Sequence, residues 1–161
     1  MGQEEAFVNM IRANEGIIYK ITTVYTNNHQ DQQDLYQEIV FQLWKGFGSF
    51  RKEAKPSTWM YRVALNTAIT QLRKHKRKPD TAPVDQLVFK LSEQYDPGFE
   101  EKLKLLYASI RELNDLEKGL ILLLLEGRKY EEIAAITGLS ASNVGTRLSR
   151  IKLKLKNKMV K

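Results

Sequence analysis

The sequence predicts an all-α protein made of two small helical domains joined by a short linker. Three observations carry that expectation. Apolar residues recur at spacings of three, four and seven along most of the 161 residues, the period of helices with one buried face. Clean apolar–polar alternation, which a half-buried strand needs, is hard to find. Pro79, Pro83 and Pro97 crowd one stretch between two helix-rich halves, and proline does not continue a helix. The expected partition is a first domain over 1–78, a linker over 79–98 and a second domain over 99–161. No repeat of fixed period is present, which argues against a solenoid.

From Glu4 to about Thr26, the residues Phe7, Ile11, Ile18, Ile21 and Tyr25 share a face, predicting one or two amphipathic helices bent near Gly16. Asn27 to Asp31 is a polar break. A second helix is expected from Asp31 or Gln32 to about Lys45. In it Leu35, Ile39 and Leu43 recur every four residues, Tyr36 and Val40 widen the stripe, and Gly46 and Gly48 end it. Phe50 to Ser57 reads as a polar, basic loop. Ser57 or Thr58 offers a hydroxyl to cap a third helix running to about Lys76, with Met60, Val63 or Ala64, Thr67 or Ala68, and Leu72 inward. The linker holds one short apolar group, Val84, Leu87, Val88 and Leu91. Beyond it, Pro97 or Gly98 opens the second domain, and Phe99 to Leu113 is a helix with Leu103, Leu106, Tyr107 and Ile110 inward. Asp115 to Glu126 is another, stopped by Gly127. Two more follow, Tyr130 to Thr137 and Ala141 to about Met159.

Composition narrows the function classes. The chain has 26 Lys and Arg against 19 Asp and Glu, net +7. The excess sits in two blocks: residues 51–80 are net +7 and residues 119–161 net +6, while 1–50 and 81–118 are each net −3. Two separated basic blocks on an otherwise acidic chain suit a polyanion touched at two places. Cysteine is absent, which removes disulfides, thiolate-bound metals and a thiol nucleophile and suits a reducing compartment. The longest apolar run, Leu120 to Leu125, is six residues, against roughly 18 for a membrane-spanning helix. The N-terminus is acidic and does not lead into a signal-type apolar stretch, so a cytoplasmic location is expected. No Gly-rich Lys-Ser/Thr phosphate loop occurs, and His29 and His75 are isolated. No cofactor, no metal and no enzymatic activity are expected.

The most informative local pattern is Tyr130 to Val144. A short helix ends at Gly138, where a tight turn needs the left-handed conformation. Ala134 is small enough for two helices to cross closely, Val144 fills the angle between them, and Ser140 is placed to cap the second. That helix would bury Val144, Leu148, Ile151 and Leu155 and show Ser142, Asn143, Thr146, Arg147, Ser149, Arg150 and Lys152. A rigid corner, a polar N-terminal half for base edges and cations for phosphates are what a DNA-reading helix-turn-helix requires. Arg is also the side chain best fitted to bidentate readout of guanine. Gly145 is unusual on a reading helix, and it fits either close backbone approach to DNA or a less specific contact point.

The first half narrows the reading further. Asp34-Leu35-Tyr36-Gln37-Glu38 runs on to Leu43-Trp44, and Phe50 to Ala68 closes in Leu72-Arg73-Lys74. This resembles region two of the extracytoplasmic-function (ECF) RNA polymerase sigma factors. Leu124-Leu125-Glu126-Gly127 through Leu148-Ser149-Arg150 resembles their region four. The resemblance covers most of residues 5–77 and 100–159, in the family's order.

The resemblance implies that Asp34, Gln37 and Glu38, with Trp44 further along, dock on the coiled-coil clamp of the large subunit of core RNA polymerase. It implies that the Phe50–Ser57 loop captures a base flipped from the minus-ten element, with Phe50, Arg51, Lys55 and Trp59 as candidates. Arg62, Asn66 and Arg73 lie along one face of the following helix and would track the displaced strand. Trp44, Trp59 and Phe50 each fit a core position equally well. Ser142, Asn143, Thr146, Arg147, Ser149 and Arg150 would read the minus-35 element in promoter DNA. The strand-wedging aromatics of primary sigma factors are replaced by Arg62 and Val63, as in the ECF class, and Asn114 stands where many members have Pro. The family is commonly held inactive by an anti-sigma factor, so such a partner is expected. The competing expectation is a helix-turn-helix regulator that never joins polymerase.

Overall fold

The computed structural model describes residues 2–50, 55–74 and 97–160. These residues form eight helices: α1 (Gln3–Ala13), α2 (Glu15–Tyr25), α3 (His29–Phe47), α4 (Pro56–Lys74), α5 (Pro97–Arg111), α6 (Asp115–Leu125), α7 (Tyr130–Thr137) and α8 (Ala141–Val160). No strand occurs among the described residues. The expected linker group Val84, Leu87, Val88 and Leu91 lies outside them. No helix among the described residues is long and apolar enough to cross a membrane.

Local chemistry sets the helix ends and moves several of the expected ones. The break in the first segment falls at Asn14, two residues before Gly16. The Asn14 side chain donates to Met10 O at 2.9 Å and its backbone N–H to Ile11 O at 3.1 Å. Its amide thus competes with the helical ladder, and Gly16 lies inside α2. Helix α3 starts at His29, before Asp31, because Asn28 Oδ1 accepts from the Asp31 N–H at 2.8 Å. It runs through Gly46 to Phe47. Helix α4 opens with Pro56 rather than after a Ser57 or Thr58 cap. Proline suits the first position, where its missing N–H would lack a helical partner anyway. Asn114 caps α6 reciprocally: its side chain accepts from Glu117 N at 2.9 Å while Glu117 accepts from Asn114 N at 3.1 Å. The same helix ends with Arg128 N–H on Leu123 O and Gly127 N–H on Leu124 O, with Gly127 at φ 79°. Those two bonds satisfy carbonyls that the helix itself leaves open.

Ile18, Ile21, Ile39, Leu43, Met60, Ala64 and Ala68 fill the centre of α1–α4. Ile110, Leu120, Leu123, Ile133, Val144, Leu148 and Ile151 do the same for α5–α8. The two centres run into one buried cluster, because α2 packs on α5 and α6 while α4 packs on α7. Helix α4 therefore buries Tyr61 and Leu65 as well as the expected Met60, Ala64, Thr67 and Ala68. Periodicity within α4 marks one core face; the second face is covered by the other half of the chain. Close approach there depends on Gly119, since a Cβ at that position would lie 3.2 Å from Tyr25 Oη and 3.4 Å from Leu65 Cδ2.

Candidate nucleic-acid interface

The α7–α8 corner is built as its residues require. Gly138 has φ 83° and donates its N–H to Ala134 O at 2.8 Å. Ser140 Oγ accepts from Asn143 N at 3.1 Å and so caps α8. Val144, Leu148 and Ile151 are fully buried and Leu155 nearly so, which fixes the rotation of α8. Ser142, Asn143, Thr146, Ser149 and Arg150 are exposed on the other side, with Arg147 half-buried among them. Arg147 donates through Nε to Asn143 Oδ1 at 3.0 Å, so the amide orients the guanidinium. The hydroxyls of Thr146 and Ser149 donate to Ser142 O and Gly145 O, which leaves their lone pairs as acceptors. Gly145 has a packing reason: a Cβ there would meet Tyr130 Cε2 at 3.2 Å. The ring of Tyr130 packs against that position.

At the start of α4 the structure gathers three of the seven residues assigned to the other contact. Phe50 and Trp59 pack at 4.7 Å between ring centroids, and Phe47 backs Trp59 at 6.5 Å. Trp59 is half-buried, tight against Gly46, where a Cβ would sit 3.3 Å from Trp59 Cζ2. It is thus both a core-packing residue and an edge with an accessible side. Lys55 is exposed just before the helix. Asn66 is exposed one turn beyond Arg62. Arg62 is exposed too, and its Nη2 donates to Ala135 O in α7 at 2.7 Å. Arg51 lies outside the described residues, as does the side chain of Arg73 in the last turn of α4.

Helix α3 carries a third surface. Asp34 and Gln37 are exposed, and half-buried Glu38 accepts from Gln42 Nε2 at 3.0 Å. Trp44 is 42% exposed, its ring edge-on to Phe7 at 5.0 Å, so it is no core residue. Phe41 belongs to the same surface and escaped the sequence reading, at 52% exposed with Lys45 Nζ 5.5 Å from its ring centroid. The available signal was position: Phe41 stands seven residues after Asp34 and off the Leu35–Ile39–Leu43 stripe.

Sequence reasoning also missed the polar residues where α1–α4 meet α5–α8. Tyr25 Oη donates to Asp115 O at 2.6 Å, and burial, with the Asp115 charge, pushes its hydroxyl pKa up. Arg111 donates to Thr23 O and Thr26 O at the end of α2, and burial lowers its pKa to about 10. Glu126 accepts from Lys20 at 2.7 Å and from Tyr61 Oη at 3.4 Å, while the Arg128 guanidinium lies 5.1 Å from the Tyr61 ring centroid. Burial raises Tyr61. A hydrogen bond from Arg128 holds the Glu132 carboxyl below its ordinary value, and the charge of Lys55 adds to it. Among the described residues no cluster of His, Asp and Glu could hold a metal ion.

Comparison with known proteins gives this arrangement its context. Residues 10–78 match the family model described as Sigma-70 region 2, and residues 103–155 that described as Sigma-70, region 4. The chain is 28% identical to the ECF RNA polymerase sigma-E factor of Haemophilus influenzae, over 98% of this chain and 89% of that protein. It is 27% identical to the protein of the same name from Escherichia coli, over 98% and 88%. Among solved structures, the sigma factor RpoE of Bartonella quintana, crystallised with the anti-sigma factor NepR, superposes with a TM-score of 0.69 at 22% identity, covering 97% of this chain and 95% of that one. CnrH, solved with the cytosolic domain of CnrY, gives 0.68 at 18% identity, covering 96% and 87%.

Proposed function

The chain belongs to the sigma-70 family of RNA polymerase sigma factors, in its ECF branch, and from that premise we propose how its surfaces divide the work of starting transcription. As a sigma factor it gives RNA polymerase its promoter specificity. The units are a first domain over 1–78, a linker over 79–98 and a second domain over 99–161. Asp34, Gln37, Glu38 and Trp44 dock the first domain on core polymerase, with Phe41 extending the surface. An acidic and amide stripe beside exposed aromatics suits a partner offering arginines and apolar side chains.

The second domain places α8 in the major groove at the minus-35 element. Ser142, Asn143, Thr146 and Arg147 face base edges, while Ser149 and Arg150 reach phosphates. The Asn143–Arg147 hydrogen bond at 3.0 Å supports this assignment, because it orients the planar donor before DNA arrives. The first domain then takes up the minus-ten element as an unpaired strand. The Phe50–Trp59 pair supplies a surface on which an extruded base stacks, and Arg51, Lys55, Arg62, Asn66 and Arg73 follow the strand. Strand opening is driven by that binding energy rather than by nucleotide hydrolysis, so the protein has no catalytic step of its own. It works in the cytoplasm, and an anti-sigma factor covers its docking faces when it is idle, by analogy with the partners of its structural relatives.

The observation that carries this reading is the pairing, in one chain, of an open α8 reading face with the exposed polar-aromatic stripe of α3. Run-off transcription with purified core polymerase tests it. Added protein is expected to start transcripts at its own promoters, and the triple variant Asp34→Ala, Gln37→Ala, Glu38→Ala is expected to lose both polymerase binding and transcription. Tight operator binding by the protein alone, with no effect on initiation, would favour a regulator that never joins polymerase.

A further inference from the structure

Within α1–α4 five aromatic side chains form an unbroken series that joins the α3 surface to the start of α4. Trp44 meets Phe7 edge-on at 5.0 Å between ring centroids and 63° between planes. Phe7 meets Phe47 in the same manner at 5.3 Å and 67°. Phe47 backs Trp59 at 6.5 Å, and Trp59 carries Phe50 at 4.7 Å. The series is exposed at its Trp44 end, half-buried at its Phe50 end and buried at Phe7.

Phe7 is also what holds α1 in place, as the one buried residue of that helix. The first residue of α1 reaches the other side of the same region, since a Cβ at Gly48 would lie 3.3 Å from Gln3 Nε2. Phe50 is set over the end of α3 by its backbone N–H, which donates to Phe47 O at 3.2 Å. These ring contacts bear on orientation as well as volume. Edge-to-face pairs favour particular angles, whereas an aliphatic side chain fills space without setting one. A ring on which a base stacks, or an exposed indole that meets a partner, works best when packing locks its rotamer.

We propose that Phe7 is a positioning residue for both contacts of the first domain: its ring fixes the plane of Trp44 toward polymerase and, through Phe47, the plane of the Trp59–Phe50 stack toward the unpaired minus-ten strand. The role rests on the sigma-factor reading of those two surfaces. Being buried, Phe7 acts through the rings beside it and not by contact with polymerase or DNA.

Trp44 and Trp59 are the two tryptophans of the chain, so ring position can be read by fluorescence. In the full-length Trp44→Phe variant, Trp59 is the sole tryptophan. Adding Phe7→Leu is expected to move its emission to longer wavelength and to raise acrylamide quenching by about twofold, because a ring has been traded for a side chain that sets no angle. Ile18→Val, which trims the core of the same domain on α2, is expected to change neither.

Holoenzyme is then assembled from core polymerase and chains that keep both tryptophans. Phe7→Leu is expected to weaken core binding by about threefold or more, the scale of lost edge-to-face contacts. At saturating core it is expected to weaken, by about threefold or more, binding of a fluorescein-labelled non-template strand spanning the minus-ten element of a promoter that the wild-type protein opens. Should Phe7→Leu not fold, Phe47→Leu is the second variant, expected to lose strand affinity and to keep core affinity. Phe7→Leu holoenzyme that keeps either affinity within about twofold of wild type would overturn the positioning role, by the same scale. So would equal losses from Phe7→Leu and Ile18→Val, Trp59 emission that does not respond, or unchanged strand affinity in Phe47→Leu. Wild-type holoenzyme that binds no minus-ten strand would instead reject the strand-capture reading, and the role of Phe7 toward that strand with it.

Discussion

Helices α8 and α4 each carry arginine and asparagine side chains on an exposed face, yet on α4 one of them, Arg62, is tied to the other half of the chain. Ser142, Asn143, Thr146, Ser149 and Arg150 are exposed, and Arg147 is already oriented. On α4, Tyr61 and Leu65 are buried by the other half of the chain and Arg62 is engaged by α7. The two faces look alike as residue patterns. Packing, rather than composition, sets how each is held.

The comparison can be broken most severely by removing the anchor of α8. Leu148 is fully buried, and Leu148→Ala is expected to cost about 2–5 kcal/mol in denaturant unfolding. Because the buried cluster spans both halves, a single transition is expected to shift as a whole; early melting of α5–α8 alone would show that the halves are energetically separate. A sharper cut is Arg147→Ala, expected to weaken binding to a minus-35 duplex by about 1–3 kcal/mol. Affinity for a single-stranded minus-ten oligonucleotide is expected to stay unchanged, and parallel fluorescence titrations check both. Asn114→Ala removes the reciprocal cap of α6 and is expected to cost about 1 kcal/mol of thermal stability with no change in DNA affinity.

The smallest expected effect is a pH dependence. Burial pushes Glu117 up, but hydrogen bonds from Lys154 and from the backbone at Asn114, with the charges of Lys154 and Lys158, leave its carboxyl below the ordinary 4.5. A lowered carboxylate pKa stabilises the fold above the unfolded value, and that contribution disappears as pH falls through the folded value. The melting temperature is expected to drop below about pH 4.5 by an amount worth under ~1 kcal/mol, since Lys154 is half exposed. Lys154→Met is expected to flatten that part of the profile.

Much of this molecule was legible from residue order. The helix-turn-helix corner was, because Ala134, Gly138, Ser140 and Val144 act within fifteen residues through local sterics and capping. The α3 core stripe was legible through its spacing. Helix ends were less so, since Asn14 and Asn28 both compete for backbone groups and only geometry decides which ladder stops. The second buried face of α4 and the seam residues Tyr25, Arg111 and Glu126 were not legible at all. Their partners lie 65 to 106 positions away, and no periodicity encodes a contact across that separation. Exposed Trp44 and half-buried Trp59 were undecided for a related reason: an aromatic beside a helix stripe packs inward or outward according to what its neighbours leave open.

Gly119 shows what such a junction asks of its helix. A glycine inside α6 makes that helix about 1 kcal/mol poorer than alanine would, yet the missing methyl is what admits the Tyr25 hydroxyl and the Leu65 side chain. Adding one carbon would strengthen the helix and press on both of those side chains. Intrinsic helicity has been given up here where the two halves of one core nest against each other.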